Sequence, residues 1–343
     1  MTERGNPEQR AAASRTLALD TTFRALRAAP VSLESSALVT PVPMPDEKRR
    51  TIYTAGNQQL LPGEVVATED APPALNADAA VRDAFDGLGA TWDFYSDVFD
   101  RHSIDDEGKP LDATVHYGTN YNNAFWNGSQ MVFGDGDGML FNRFTASVDV
   151  IGHELAHGVT EDEAGLVYMF QPGALNESLS DVFGSMIKQK LLNQTAQQAD
   201  WLIGAGLFTA TVSGEALRSM KAPGTAYDDP TLGKDPQPAD MAHFVDTFND
   251  NGGVHINSGI PNRAFYLVAS NLGGFAWEKA GRIWYDTLRD SALRPNTGLR
   301  RFAKLTATAA ERLYGHGSIE QAIVADAWAT VGITVSVGAM AMR

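Results

Sequence analysis

The sequence predicts a protein of the α+β class: a short N-terminal arm, then an α/β half, then a helical half. Three observations predict it. Short β-branched and aromatic runs, punctuated by Gly, Pro and Asp, recur between Thr51 and Gly138. A long amphipathic helical segment interrupts them. After Thr145 the pattern is mostly helical to the end. With 343 residues, 43% of them apolar, the chain has ample material for a packed core and too much apolar content for disorder.

In chain order, residues 8–29 read as a helical segment with Leu17, Leu19, Phe23 and Leu26 on a patchy apolar face. The segment PVPMPDEKRR, Pro41 to Arg50, stops any helix and stays in water. It reads equally as a cleavable linker and as a plain interdomain loop. TIYTAG and GEVVAT read as strands around a Leu-Pro-Gly turn. Ala77 to Asp100 reads as a helix, with Val81, Phe85, Leu88, Trp92, Tyr95 and Phe99 at three- and four-residue steps. VHYG and MVFGDGDG read as strands. The DGDG at Asp135 to Gly138 is either a tight turn or a calcium loop. NNAFWNGS, running to Ser129, is either an edge strand that pairs with an extended ligand or an aromatic core strand.

Composition narrows the chemistry. With 27 Lys plus Arg against 42 Asp plus Glu, the net charge of −15 argues against nucleic acid or an anionic membrane as partner. The absence of cysteine removes disulfides, thiolate zinc sites, iron–sulfur clusters and Cys nucleophiles. A metal must then be held by His and carboxylates. The first twenty residues contain no apolar run of the kind a secretory signal needs, and the apolar tail from Val331 to Met342 is too short to span a membrane. The expectation is synthesis in the cytoplasm without a signal peptide, with export by a signal-independent route left open.

The strongest motif is HELAH, His153 to His157. On a helix, residues four apart share a face, so both imidazoles reach one metal ion and Glu154 projects beside it. A catalytic zinc wants a third protein ligand and an open position. GALNESLSD, Gly173 to Asp181, offers one: Glu177 can ligate while Asp181, again four residues on, supports a ligand histidine from behind. Taken alone, this pair reads first as a solvated acidic helix face. In DNGGVHINSG, Asp250 to Gly259, a Gly pair makes a tight loop; His255 can donate to a developing oxyanion with Asp250 orienting it, but alone the pair reads first as an ordinary loop histidine beside an aspartate.

Together, YNNAFWNGS, HELAHGVTE, GLVY, GALNESLSD, LRSM and DNGGVHINSG resemble the thermolysin family of zinc metallopeptidases from about Thr51 onward, in the family's order and near its spacing. The resemblance implies an α+β, two-lobed fold: a β-rich N-terminal lobe over residues 51–165, including the HExxH helix at the base of the cleft, and a helical lobe over 166–343. It implies that His153, His157 and Glu177 ligate one zinc ion and that Glu154 is the general base for the zinc-bound water. Tyr168 and His255 would stabilise the oxyanion, Asp250 would orient His255, and Asp181 would buttress His153. Asn123, the Ala124 main chain and Arg218 would hold the substrate backbone. Phe141, Phe144, Val150, Ile203, Leu207 and Leu217 would line an apolar pocket for the residue after the scissile bond. The implied protein is a zinc endopeptidase acting on protein or peptide substrates as a monomer, with a protein inhibitor left open.

Two departures from the family pattern matter. Calcium-stabilised members carry a carboxylate cluster after the third zinc ligand, but here Lys188 stands where a shared acid is needed, Leu202 and Ala205 replace two more, and only Asp149 and Asp200 keep their type. The paired calcium site is therefore expected to be absent. The first fifty residues resemble the short propeptide of the protealysin-like branch, which implies a zymogen. The alternatives are a non-catalytic or propeptide-inhibited zinc-binding protein on the same fold, disfavoured by the intact Glu154, Tyr168 and His255, and a different metallohydrolase, disfavoured by Asn123 and Arg218.

Overall fold

The computed structural model of the protein describes residues 4–7, 10 and 47–336. The helical reading of residues 8–29, most of the Pro41–Arg50 linker and the end of the apolar tail lie outside the described residues. The first half contains strands β1 (Arg50–Thr54), β2 (Glu64–Thr68), β3 (Leu111–Val115), β4 (Ala124–Trp126) and β5 (Met131–Phe133). They form one sheet in the order β2-β1-β3-β5-β4. β1 pairs antiparallel with β2 and parallel with β3, and β4 closes one edge antiparallel to β5.

Helix α1 (Ala79–Phe99) packs on this sheet. Asp78 caps it by accepting the Ala80 and Val81 N–H groups, and a left-handed Asp100 ends it. Its apolar stripe is buried as the spacing predicts, except that Trp92 is half-buried. The strand expected at VHYG lies instead at Leu111–Val115. His116 ends it by taking a left-handed backbone, φ 57°, with its ring on Asp135. The DGDG segment is a turn: Asp137 accepts the N–H groups of Met139, Leu140 and Phe141, and Asp135 accepts from His116 and Asn57. β4 is a strand at the edge of the sheet whose three side chains are all buried.

The second half is built on helices α2 (Val148–Glu163), α3 (Phe170–Leu191), α4 (Asp250–Asn257), α5 (Gly259–Leu272), α6 (Ala280–Leu288), α7 (Leu299–Tyr314) and α8 (Ile319–Thr330). α3 is buried on every face from Gly173 to Gln189, as befits the centre of a helical layer. It crosses α2 at two glycines. A Cβ on Gly184 would meet Asp149 O at 2.3 Å, and one on Gly152 would meet Ile187 Cδ1 at 2.6 Å. That close approach brings the polar face of α3 onto the HELAH face of α2.

The stretch from Leu192 to Asn249 departs from the mostly helical expectation. It holds short ladders, β6 (Leu202–Ile203) with β7 (Arg218–Ser219) and β8 (Asp228–Asp229) with β9 (Gly233–Lys234), and one 3₁₀ turn at Met241–His243. Side-chain carboxylates organise these loops in place of a backbone ladder. Asp229 accepts N–H bonds from Ser213, Thr231 and Leu232, and Asp235 from Gly224, Ala226 and Gln237.

Candidate active site

α2 presents His153 and His157 toward Glu177 on α3, and Glu154 lines the same cavity. His153 Nε2 lies 3.4 Å from Glu177 Oε2, and His157 Nε2 lies 3.5 Å from Glu177 Oε1. The ligating atoms of the three buried residues all lie within 4.8 Å of one another. Each imidazole is held from behind. His153 Nδ1 is 2.7 Å from Asp181 Oδ1, and His157 Nδ1 is 2.7 Å from Asn176 Oδ1. Those acceptors place the proton on Nδ1 and turn the Nε2 lone pair toward Glu177. Two imidazoles and one carboxylate, with a cavity on the open side, make a donor set suited to a hydrolytic zinc site.

The charges reinforce one another. Burial acts to raise the Glu177 carboxyl, but His255, His153 and His157 outweigh it and hold it well below the usual carboxylate range. Burial likewise opposes ionisation of Asp181, which Arg218 and His153 keep ionised. Burial lowers His153, yet Asp181 and Glu177 push it up to about 10. These carboxylates thus favour positive charge between them, a proton or a cation, and metal binding displaces the proton.

Across Glu177 stand Tyr168 and His255. The Tyr168 hydroxyl bonds to Glu177 and lies 3.3 Å from His255 Nε2, which is 3.4 Å from Glu177 Oε1. Asp250 fixes the ring through both oxygens: Oδ1 is 2.6 Å from Nδ1, and Oδ2 accepts the His255 N–H at 2.8 Å. It can do so because the chain from Asp250 to Gly253 runs through four consecutive left-handed residues, φ 53°, 50°, 85° and 76°. Glu154 Oε2 accepts the Trp126 N–H at 3.1 Å, tying the helix to the edge strand.

A cavity of about 130 Å³ opens over these groups, lined also by Asn123, Ala124, Arg218, Phe144, Val150 and Leu217. Arg218 forms two bonds to Asp181, at 2.8 and 2.7 Å. Three expected pocket residues do not line this cavity. Ile203 and Leu207 are fully buried. A Cβ on Gly204 would meet Leu217 Cγ at 2.8 Å and Leu207 Cδ1 at 3.2 Å, so both leucines pack against Gly204. Phe141 leans on the Phe144 and Phe208 rings, with centroids 5.8 and 5.6 Å apart.

Several supporting residues escaped the sequence reading. Ser180 Oγ is 3.0 Å from His157 Nδ1, Asn262 Nδ2 donates to Asp181 Oδ2 at 2.8 Å, and Gln237 Nε2 donates to the His255 carbonyl at 2.7 Å. Asn176 and Ser180 carried a usable signal, since they share a helix face with Glu177 and Asp181. Asn262 and Gln237 carried none, being brought in by tertiary contact alone.

Further along α3, Lys188 Nζ lies 2.8 Å from Asp149 Oδ2 and 2.9 Å from Asp200 Oδ1, and donates to the Leu202 carbonyl at 2.6 Å.

Residues 25–161 match the family described as thermolysin metallopeptidase, catalytic domain, and residues 164–333 match thermolysin metallopeptidase, alpha-helical domain. An extracellular metalloprotease of Pectobacterium carotovorum is 57% identical over 301 residues, covering 86% of each chain. Protease PrtS of a Photorhabdus strain is 54% identical over 84% of this chain and 78% of its own length. The solved structure of the precursor of protealysin, a metalloproteinase from Serratia proteamaculans, is 53% identical, covering 97% of this chain and 96% of that one, with a TM-score of 0.86.

Proposed function

Because the chain belongs to the thermolysin family, in its protealysin-like branch, and is a zinc metalloendopeptidase, we propose that His153, His157 and Glu177 hold its zinc and that Glu154 is the general base. The observation that carries this reading is the convergence of the three ligating groups within 4.8 Å, with Glu154 on the same helix. When bound, zinc supplies Lewis acidity that makes water a usable nucleophile at neutral pH. Glu154 takes the proton from the attacking water and delivers it to the departing amine. Tyr168 and His255 donate to the carbonyl oxygen as it becomes an oxyanion, and Asp250 holds the His255 ring in the donating orientation. Asn123, the Ala124 main chain and Arg218 hold the substrate backbone after the scissile bond. Phe144, Val150 and Leu217 favour a large apolar side chain there. Peptide hydrolysis measured with and without 1,10-phenanthroline tests the assignment; full activity in the chelator would overturn it.

The paired calcium site is replaced by Lys188, whose ammonium supplies the positive charge that Asp149 and Asp200 need. Residues 1 to about 45 act as a propeptide that covers or braces the cleft and is removed near the Pro41–Arg50 linker. The similarity to the protealysin precursor over nearly the whole chain supports this. N-terminal sequencing of the active species tests it, and full activity with Met1 retained would count against it.

A further inference from the structure

Large apolar side chains on a protein surface are ordinary when scattered and informative when clustered. Four of them gather beside one end of the catalytic cleft: Val167, Met169, Phe170 and Phe248, exposed by 49, 47, 42 and 90%. They flank the two oxyanion donors. Val167 and Met169 bracket Tyr168 in sequence, and Phe248 sits two residues before Asp250, which holds His255.

The cluster is built. Phe170 and Phe248 meet edge to face, with ring centroids 6.1 Å apart and planes at 80°. Phe170 adopts φ 52°, a left-handed backbone that a bulky L-residue takes only at a cost. Its ring lies against the Asp250–Gly253 turn so closely that a Cβ on Gly252 would be 2.3 Å from Phe170 Cδ1. A strained backbone and a glycine-backed ring thus support an aromatic face that is half open to solvent.

Its position gives the direction. Arg218, next to Leu217 in the chain, stands on the His153 side, where it bonds to Asp181 behind that ring. Tyr168 stands on the His157 side, with ring centroids 6.0 Å apart. A peptide that places its residue after the scissile bond near Leu217 therefore runs its preceding residues past Tyr168 toward Phe170 and Phe248. We infer that Phe170 and Phe248 form a specificity subsite that takes a large apolar or aromatic substrate side chain two or three residues before the scissile bond. The subsite rests on the pocket assignment made above and extends it to the other side of the reacting bond.

The test uses the mature enzyme and two quenched fluorescent peptides that share an apolar residue after the scissile bond. One carries Phe two and three residues before that bond, and the other carries Gly there. The variants are Phe248→Ser, at a position exposed enough to leave the fold alone, and Phe170→Asn, because Asn tolerates the left-handed backbone. The expected result is a kcat/KM ratio of about tenfold in favour of the Phe peptide, falling to within about twofold in the double variant, with the Gly peptide cleaved as before. An unchanged ratio in the double variant would overturn the inference. Failure of the underlying pocket assignment looks different: a third peptide, with Gly in place of the apolar residue after the scissile bond, would be cleaved as fast as the Phe peptide by every form of the enzyme.

Discussion

Two clusters of acidic groups lie along the same pair of helices and handle positive charge in opposite ways. At one, Glu177 and Asp181 converge with His153 and His157, and the histidine nitrogens are turned toward a common point by acceptors behind them. At the other, Asp149 and Asp200 close on Lys188 of α3 itself. Burial lowers the Lys188 ammonium, but Asp149 and Asp200 outweigh it and keep it protonated above its ordinary value. The difference teaches what makes a metal site: carboxylates alone do not, since a single covalently attached cation satisfies them. What marks the first cluster is a set of donors oriented from outside and open to a cavity.

The sharpest way to break this comparison is to separate binding from chemistry at the first cluster. Glu154→Gln is expected to lower kcat by about 10²–10⁴-fold while zinc content, measured by mass spectrometry, stays at one ion per chain. Surviving turnover would remove Glu154 from the mechanism. At the second cluster, Lys188→Met takes the cation from the fully buried Asp149 carboxylate, leaving it only the Ser147 hydroxyl and the Gly204 N–H, and is expected to cost about 3–5 kcal/mol of stability by denaturant unfolding. The unmodified protein is expected to show no change in melting temperature with added calcium, whereas Lys188→Glu gains one. A calcium-dependent melting temperature in the unmodified chain would erase the contrast.

Smaller effects sharpen it. Asp181→Asn weakens the group that orients His153 and is expected to lower zinc affinity about 10–100-fold, read by competition with a chromogenic chelator. His116 provides the control: a histidine between carboxylates, 2.9 Å from Asp135 and 3.3 Å from Asp78, in a cluster with no second imidazole. Its hydrogen bond to Asp135 outweighs burial and raises its pKa in the folded chain. The resulting stability is complete below the unfolded value of about 6.5 and is lost as pH rises through the raised folded value. The stability advantage of the unmodified chain over His116→Asn should therefore shrink from acid to alkaline pH. An advantage that grew with pH would reverse the assignment.

Legibility in the sequence followed the range of the interactions. Val81, Phe85, Leu88, Tyr95 and Phe99 announced α1 because helical burial repeats every three to four residues. HELAH announced a shared face for the same reason. The strand around VHYG was displaced because His116 answers to Asp135, nineteen residues away, and not to its neighbours. The loops between Leu192 and Asn249 were misjudged because Asp229 and Asp235 organise them through side-chain bonds that leave no periodicity. Of the residues expected around the apolar pocket, Phe144, Val150 and Leu217 line the cavity, whereas Ile203 and Leu207 are fully buried and do not; all are apolar, so composition does not tell them apart.

The sequence by itself determined the local chemistry of this protein: which side chains share a helix face, that a metal must be held by His and carboxylate, and where the strand-rich half gives way to helices. These follow from spacing within a few turns of chain and, for the ligand types, from the absence of cysteine. Only the tertiary structure decided which carboxylates meet the imidazoles and which meet Lys188, that Asn262 reaches Asp181 across 81 residues, and that Phe170 and Phe248 share one surface. Those outcomes depend on how closely α2 and α3 approach at Gly152 and Gly184 and on how the chain turns at Asp250–Gly253. Distances across a packed interface are set by the shapes of both partners, and no stretch of sequence contains both.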